Sequence, residues 1–223
     1  MMYSFLYICF SKHYECDDNM VKIDFKKEYK DVYKAKPNEV SFVEVPKLNY
    51  LSIDGKGDPN TSQEYKDSIE ALMSVSFKTK FIMKKEHRKD YVVMPLEGLW
   101  WGDDMDNFSV EDKSSWNWKS IIMQPDFVKE EYIEQGKEEV AKKKDLSSLD
   151  KIKFIELDEG LSAQILHIGP YSNEGQTVEK LHNTIEENSY DFNGLHHEIY
   201  LNDVRRTKPE KLKTIIRQAV KLK

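Results

Sequence analysis

An internal repeat constrains the fold of this chain more than any other feature. The segment FVEV at 42–45 returns as FIEL at 154–157. Each copy is followed by a second strand-like segment, a turn containing glycine, a helix-like segment and a strand-like segment with a glutamate, Glu97 or Glu198. Two such units predict an α+β fold, in which pseudo-symmetric strand–helix–strand–strand repeats form an antiparallel sheet with a central ligand cleft.

The repeat also predicts the domain organisation. A polar joint at 144–150 separates repeat one, at about 38–143, from repeat two, at about 151–223. Residues 1–37 precede the repeats as an N-terminal extension, which we expect to be poorly ordered up to about position 19, because Met20 opens a sequence typical of a start. Aromatic residues make up 12% of the chain, more than a disordered sequence carries, so the repeats form a folded body.

Hydrophobic spacing and turn residues predict the elements of repeat one. Thr61 and Glu64 have the spacing of a capping box, which opens a helix. A second helix is expected to run from Pro125 to about Lys143. The strand-like segments of this repeat are 41–45, 48–53, 91–96 and 114–123.

The same criteria apply to repeat two. Asn173 follows a glycine-containing turn and is expected to cap a helix. The C-terminal segment 205–223 combines basic residues with spaced apolar ones, so it predicts an amphipathic helix with a solvated basic face. The strand-like segments of this repeat are 153–157, 161–168 and 196–201.

Charge and cysteine content exclude several classes of function. The net charge is −6, so the chain lacks the basic surface of a general nucleic-acid binder. No apolar run is long enough to cross a membrane as a helix. The two cysteines, Cys9 and Cys16, both lie in the N-terminal stretch, which excludes a disulfide framework and favours a cytoplasmic protein. The histidines and cysteines lack metal-site spacing, so we expect neither metal nor cofactor.

All four tryptophans fall in one short stretch of repeat one: Trp100, Trp101, Trp116 and Trp118. Such rings bury a large apolar area, so the simple interpretation is a hydrophobic core. The alternative is an aromatic cage that stacks a flat or cationic ligand, with cation–π contacts to a positive charge. Trp116 and Trp118 are expected on one face of a strand, because side chains alternate along it. Both interpretations remain open on sequence alone.

A carboxylate in an apolar strand marks a second candidate. His196, Glu198 and Tyr200 share one face of the predicted strand. A buried carboxylate must be paired, hydrogen-bonded or protonated, because burying it bare is unfavourable. Glu198 therefore either forms a salt bridge, for instance to Arg205 or Arg206, or lies in a pocket, where it neutralises a cationic ligand or acts as a general acid or base.

Three further residues follow from the pseudo-symmetry. Glu97 is the counterpart of Glu198, although strand alternation places it opposite Trp100 unless Gly98 forms a bulge. Tyr50 and Tyr171 stand near the ends of equivalent strands. Each hydroxyl either donates a hydrogen bond to a ligand oxygen or belongs to a ring that only covers the core.

Five segments follow one another along the chain: FVEVP at 42–46, GDP at 57–59, EGLWW at 97–101, HIGPY at 167–171 and HEIYLND at 197–203. In this order and spacing they resemble the GyrI-like small-molecule-binding domain family. The resemblance extends over about residues 38–220, and the tryptophan-rich block is similar to the stand-alone branch of the family.

The resemblance implies an α+β fold whose central cleft takes lipophilic, often aromatic or cationic compounds. It implies a pocket glutamate on the last repeat strand, at the position of Glu198. Some stand-alone relatives hydrolyse the cyclopropane ring of DNA-alkylating cyclopropanoids inside an aromatic cage, and others protect DNA gyrase.

We therefore expect a small lipophilic molecule as the partner of this chain. On the hydrolase hypothesis, Glu198, with Glu97, activates water, and Tyr171 or Tyr50 donates to the oxygen that gains charge. The alternatives are a non-catalytic binding protein and a protein that acts on gyrase. The ligand-binding candidates are Tyr50, Trp100, Trp101, Trp116, Trp118, His196 and Tyr200.

Overall fold

Ten strands and four helices make up the regular structure of the computed structural model, which describes residues 20–103 and 113–223. The expected disorder up to position 19 concerns residues outside this range. The strands are β1 (Lys22–Ile23), β2 (Ser41–Val45), β3 (Leu48–Lys56), β4 (Asp90–Tyr91), β5 (Glu97–Gly102), β6 (Trp116–Gln124), β7 (Lys153–Leu157), β8 (Gly160–Ile168), β9 (Tyr190–Tyr200) and β10 (Lys213–Leu222). The helices are α1 (Phe25–Glu28), α2 (Gln63–His87), α3 (Glu130–Ala141) and α4 (Gly175–Glu187).

Eight strands form one antiparallel sheet in the order β2-β8-β10-β9-β5-β6-β3-β7, while β1 and β4 pair separately. Counted from either edge, this order places equivalent strands of the two repeats at equivalent positions. The pseudo-two-fold axis therefore passes between β9 and β5. The predicted α+β architecture of two pseudo-symmetric repeats is confirmed.

The sheet is strongly curled. Only Pro46 and Lys47 join β2 to β3, although these strands lie toward opposite edges of the sheet. Two residues bridge no more than about 11 Å, so the two edges must approach each other. Asp158 and Glu159 impose the same constraint between β7 and β8. The sheet consequently has an enclosed inner face and an outer face, and the latter carries α2 and α4.

The inner face holds four fully or nearly buried charged residues, Glu97, Glu159, His197 and Arg217, which we call the inner ion cluster. His197 Nδ1 lies 2.9 Å from Glu159 Oε1, and its Nε2 lies 2.9 Å from Glu97 Oε2. Arg217 Nη1 donates to Glu159 Oε2 at 3.0 Å. The Tyr33 hydroxyl, from the segment before repeat one, donates to Glu97 Oε1 at 2.9 Å. Two negative and two positive charges thus balance one another inside the sheet.

Stability should depend on pH through this cluster. Burial opposes the charged form of His197, but Glu159 and Glu97 raise the pKa of His197 to about 9. Its contribution is therefore complete below about pH 6.5 and is lost as the pH rises through 9. We expect about 3 kcal/mol of unfolding free energy to be lost over this interval. A urea midpoint that stays constant from pH 6.5 to pH 9 would contradict this expectation.

The C-terminal segment departs most from its prediction, because 213–222 is a strand and not an amphipathic helix. β10 pairs with β8 on one side and β9 on the other. Its side chains alternate between two buried faces, so that Ile216 packs under α4 while Arg217 joins the inner ion cluster. A strand buried on both faces shows no clean alternation of polar and apolar residues, which is why the spacing fits a helix equally well.

Helix boundaries also differ from the sequence prediction. Ser62, not Thr61, caps α2, and its Oγ accepts from the Tyr65 backbone N–H at 3.1 Å. Pro125 begins a turn and α3 starts only at Glu130. Asn173 ends a short 3₁₀ turn and does not cap α4. Among the described residues, no helix combines the length and the apolar character that crossing a lipid bilayer requires.

Candidate functional site

The register between β5 and β9 decides which glutamate faces the outer side. Gly98 pairs with Glu198 and Leu99 with His197, and the ladder continues regularly without a bulge. The pseudo-two-fold axis therefore relates Glu97 to His197, and Gly98 to Glu198. Since a shift of one residue moves a side chain to the other face, Glu97 points inward and Glu198 outward. Glu97 thus belongs to the inner ion cluster, away from its predicted catalytic partner.

A large cleft, about 2550 Å³ in volume, lies on the outer face between α2 and α4. Its floor is formed by β5 and β9, the central strands of the sheet. Trp100, His196, Glu198 and Tyr200 lie on this floor. The cleft therefore straddles the pseudo-symmetry axis, as the repeat predicted.

A chain of hydrogen bonds orients Glu198 on the floor. Tyr200 OH donates to Glu198 Oε2 at 2.8 Å, and Trp100 Nε1 donates to Tyr200 OH at 3.2 Å. His196 Nε2 lies 3.1 Å from Glu198 Oε1. Arg205 and Arg206 pair with Asp203 instead, so neither arginine forms the salt bridge to Glu198 that the sequence suggested.

These contacts also determine the charge of Glu198. Burial alone would raise its pKa, but the hydrogen bonds from His196 and Tyr200 hold the pKa of Glu198 below its ordinary value. The side chain keeps 14% of its surface exposed. At neutral pH the cleft consequently holds an oriented carboxylate that still meets solvent.

Aromatic rings surround this carboxylate. The Trp100 ring lies 5.7 Å from that of Trp116 and 5.8 Å from that of Tyr65, measured between centroids. On the other side, Tyr171 stands edge-on to Tyr200 at 5.6 Å. All of these rings border the cleft, as does Trp101. Seven of the ten residues predicted from the sequence therefore line one cavity: Trp100, Trp101, Trp116, Tyr171, His196, Glu198 and Tyr200.

The other three predicted residues lie elsewhere. Trp118 is fully buried, with its ring over Gly55 and edge-on to Tyr65 at 5.0 Å. Tyr50 lies on the inner face, where burial and the charge of Glu97 raise its pKa well above the ordinary value. Glu97, as described above, is inside the sheet. Tyr50 and Trp118 thus lie wholly in the core, which is the simpler of the two interpretations. Trp100 is only 6% exposed and packs into the same core, although it also borders the cleft.

One carboxyl group of the cleft was missed by the sequence analysis. Glu174 is only 7% exposed and lines the cleft, and its Oε1 atom has no hydrogen-bond partner among the described residues. Burial, and then the charge of Glu198, raise the pKa of Glu174 to about 8. A glutamate just before a helix is usually explained by its favourable interaction with the helix dipole. The position of Glu174 in the sequence therefore did not indicate a site residue. The cleft therefore contains one carboxylate and one carboxyl group that is mostly protonated at neutral pH.

Comparison with known proteins agrees with this arrangement. The sequence model of the GyrI-like small molecule binding domain matches residues 38–221. A comparison with curated protein sequences finds no significant match.

Solved structures that are similar to this chain support the same family. An uncharacterized conserved protein from Listeria innocua is 41% identical, with a TM-score of 0.83, over 90% of this chain and 100% of its own. A hydrolase from the same organism is 39% identical, with a TM-score of 0.81 and the same coverage. The C-terminal domain of EcmrR, at 12% identity and a TM-score of 0.52 over 83% of this chain and 98% of its own, shares the fold alone. The chain belongs to the GyrI-like small-molecule-binding domain family.

Proposed function

We propose that this chain binds lipophilic, planar aromatic molecules and hydrolyses those with a cyclopropane ring conjugated to a carbonyl, as in DNA-alkylating cyclopropanoids. The observation that carries the proposal is Glu198, an oriented carboxylate on the aromatic floor of the cleft. The similar hydrolase from Listeria innocua supports a hydrolytic reaction. We place the activity in the cytoplasm, which the sparse cysteines favour.

The mechanism assigns a role to each residue of the cleft. Trp100 and Trp116 contact the flat ligand, and Glu198 accepts a proton from a water molecule. The water oxygen bonds to a ring carbon while a strained carbon–carbon bond breaks, and its electrons move to the conjugated carbonyl oxygen. Tyr171 donates a hydrogen bond to that oxygen, because burial, together with Glu174 and Glu198, raises the pKa of Tyr171 to about 12 and keeps it protonated.

A non-catalytic role in binding cations is the second candidate. Glu198 is charged at neutral pH and is surrounded by electron-rich rings, which together suit a lipophilic cation. A gyrase-directed role has less support, since an exposed basic C-terminal face together with an occluded cleft would favour it. The structure has a buried C-terminal strand and an open cleft instead.

Product analysis separates hydrolysis from binding. The protein is incubated with a cyclopropanoid and, separately, with acridine orange, a planar cation. Hydrolysis predicts a cyclopropanoid product heavier by one water, formed in many molar equivalents. Binding without any such product, with preference for acridine orange that weakens as salt is added, would support the second candidate and contradict the first.

Gly98→Val is expected to weaken the binding of acridine orange about tenfold or more. A Cβ atom at this position would lie 2.8 Å from Trp100 Nε1 and 3.1 Å from Tyr200 OH. The valine side chain therefore displaces these two rings from the floor of the cleft beside Glu198. Titration followed by dye fluorescence measures the dissociation constant. Glu44→Val is the control, because Glu44 is exposed on β2 and lies outside the cleft. Equal dissociation constants for the two variants would show that the ligand binds elsewhere.

A further inference from the structure

We propose that Glu174 is the proton donor of the hydrolysis, acting opposite the base Glu198 in the same cleft. This inference rests on the function proposed above and adds a second catalytic carboxyl group to it. It starts from the burial of the Glu174 side chain, from its Oε1 atom, which has no hydrogen-bond partner in the described part of the chain, and from its place on the wall of the cleft.

The turn before α4 brings Glu174 to the cleft. Tyr171–Asn173 form a 3₁₀ turn, and the Glu174 N–H donates to the Tyr171 carbonyl at 3.2 Å. Although Glu174 occupies the N-cap position of α4, its side chain makes no capping hydrogen bond. It lines the cleft instead, 7% exposed, and no group within residues 20–103 and 113–223 hydrogen-bonds its Oε1 atom. Buried polar atoms are almost always hydrogen-bonded, so a buried carboxyl group with an unpartnered oxygen on the wall of a cleft is suited to hydrogen-bond a ligand there.

The groups that face Glu174 come from several elements. Glu198 on β9 and Lys113 just before β6 are charged, while Thr214 on β10, Tyr171 and Tyr200 supply neutral hydroxyls. Burial and the charge of Glu198 favour the protonated form of Glu174. The Thr214 hydroxyl and the charge of Lys113 oppose it only in part, which leaves the pKa of Glu174 at about 8. The hydrogen bonds on Glu198 lower its pKa instead. Two carboxyl groups whose environments separate their pKa values divide the roles of acid and base.

The proton balance of the reaction fits this division. Glu198 takes one proton from the attacking water, and the new carbon–oxygen bond forms as the ring bond breaks. Glu174 gives its proton to the carbonyl oxygen, which becomes a hydroxyl. A proton then passes from Glu198 to Glu174, so that both groups return to their starting states and one water has been added. Glu174 suits this step better than Tyr171, since its pKa of about 8 lies nearer the working pH than the value of about 12 for Tyr171.

Glu174→Gln tests the proposal. We expect cyclopropanoid turnover to fall about 10²–10⁴-fold, while the dissociation constant for acridine orange stays nearly unchanged. Wild-type turnover should also fall as the pH rises through about 8, as Glu174 loses its proton. The residual activity of the variant should lack this fall. Glu187→Gln is the control, because Glu187 is exposed on the same helix.

The possible outcomes distinguish a failure of the role of Glu174 from a failure of the proposed hydrolysis on which it rests. Turnover of Glu174→Gln within about threefold of the wild type, or an unchanged fall near pH 8 in that variant, would overturn the role of Glu174 alone. Absence of product from the wild-type protein would overturn the hydrolase and the proton donor together. Circular dichroism tests whether the variant is folded, and the wild-type pH profile tests the same group without any substitution.

Discussion

Replacing Arg217 by methionine is expected to lower the free energy of unfolding by about 3–5 kcal/mol. Arg217 is fully buried and donates to Glu159 Oε2 at 3.0 Å and to Gln164 Oε1 through Nε at 3.2 Å. Methionine fills much of the same volume but leaves the cluster with two negative charges and one positive charge. Removing one partner of a buried ion pair is far more destabilising than removing the whole pair, because the remaining charge stays buried.

Urea unfolding followed by tryptophan fluorescence measures this effect. Arg205→Met is the matched control, since Arg205 pairs with Asp203 at the surface and its side chain is 83% exposed. We expect the control to unfold at the wild-type urea concentration, because exposed ion pairs contribute little. A loss below about 1 kcal/mol in Arg217→Met would show that the inner ion cluster is not needed for the curled sheet.

The sheet could be predicted from the sequence because the repeat is a local pattern. The segments at 42–45 and 154–157 each precede a second strand, and the structure places them at equivalent edges of the sheet. The two-residue link at Pro46-Lys47 was visible as well, whereas the strand-like segments 153–157 and 161–168 left a gap of three residues where the structure has two. The sequence did not show that the edge strands are exchanged, so that β2 of repeat one pairs with β8 of repeat two, and β7 of repeat two pairs with β3 of repeat one. This exchange depends on pairing between residues far apart in the chain.

The site was predictable to the extent that it depends on alternation within one strand. His196, Glu198 and Tyr200 were expected on one face of a strand, and their hydrogen bonds show that they share it. The sequence analysis equated Glu97 with Glu198, whereas the structure equates Gly98 with Glu198, one position later. The difference arises because the equivalence depends on the register between β5 and β9. Similarly, four clustered tryptophans give no sign of which one fills the core, because that depends on the contact between Trp118, Gly55 and Tyr65.

Glu198→Gln is expected to lower cyclopropanoid turnover by about 10²–10⁴-fold while leaving the affinity for the neutral substrate nearly unchanged. The amide does not accept the proton of water, but it has the shape of the carboxyl group, and its oxygen still accepts from Tyr200 OH. Steady-state turnover and tryptophan quenching measure the two quantities separately. Affinity for acridine orange should fall, because the variant removes the negative charge beside the rings.

Glu44→Gln is the control for this prediction, because Glu44 is an exposed strand glutamate on β2, outside the cleft. It should retain both turnover and affinity. Full turnover in Glu198→Gln would show that another group activates the water. Loss of substrate affinity in parallel with turnover would show that Glu198 holds the substrate and does not serve as the base.

The central claim is that the cleft adds water to a strained ring, and isotope labelling tests it most directly. Wild-type protein and Glu198→Gln are incubated with a cyclopropanoid in ¹⁸O-labelled water, and the products are weighed by mass spectrometry. We predict that the wild type forms many equivalents of a product heavier by one labelled water, with one ¹⁸O atom on the former ring carbon, and that Glu198→Gln forms almost none. Quenching of tryptophan fluorescence without a labelled product would contradict the claim.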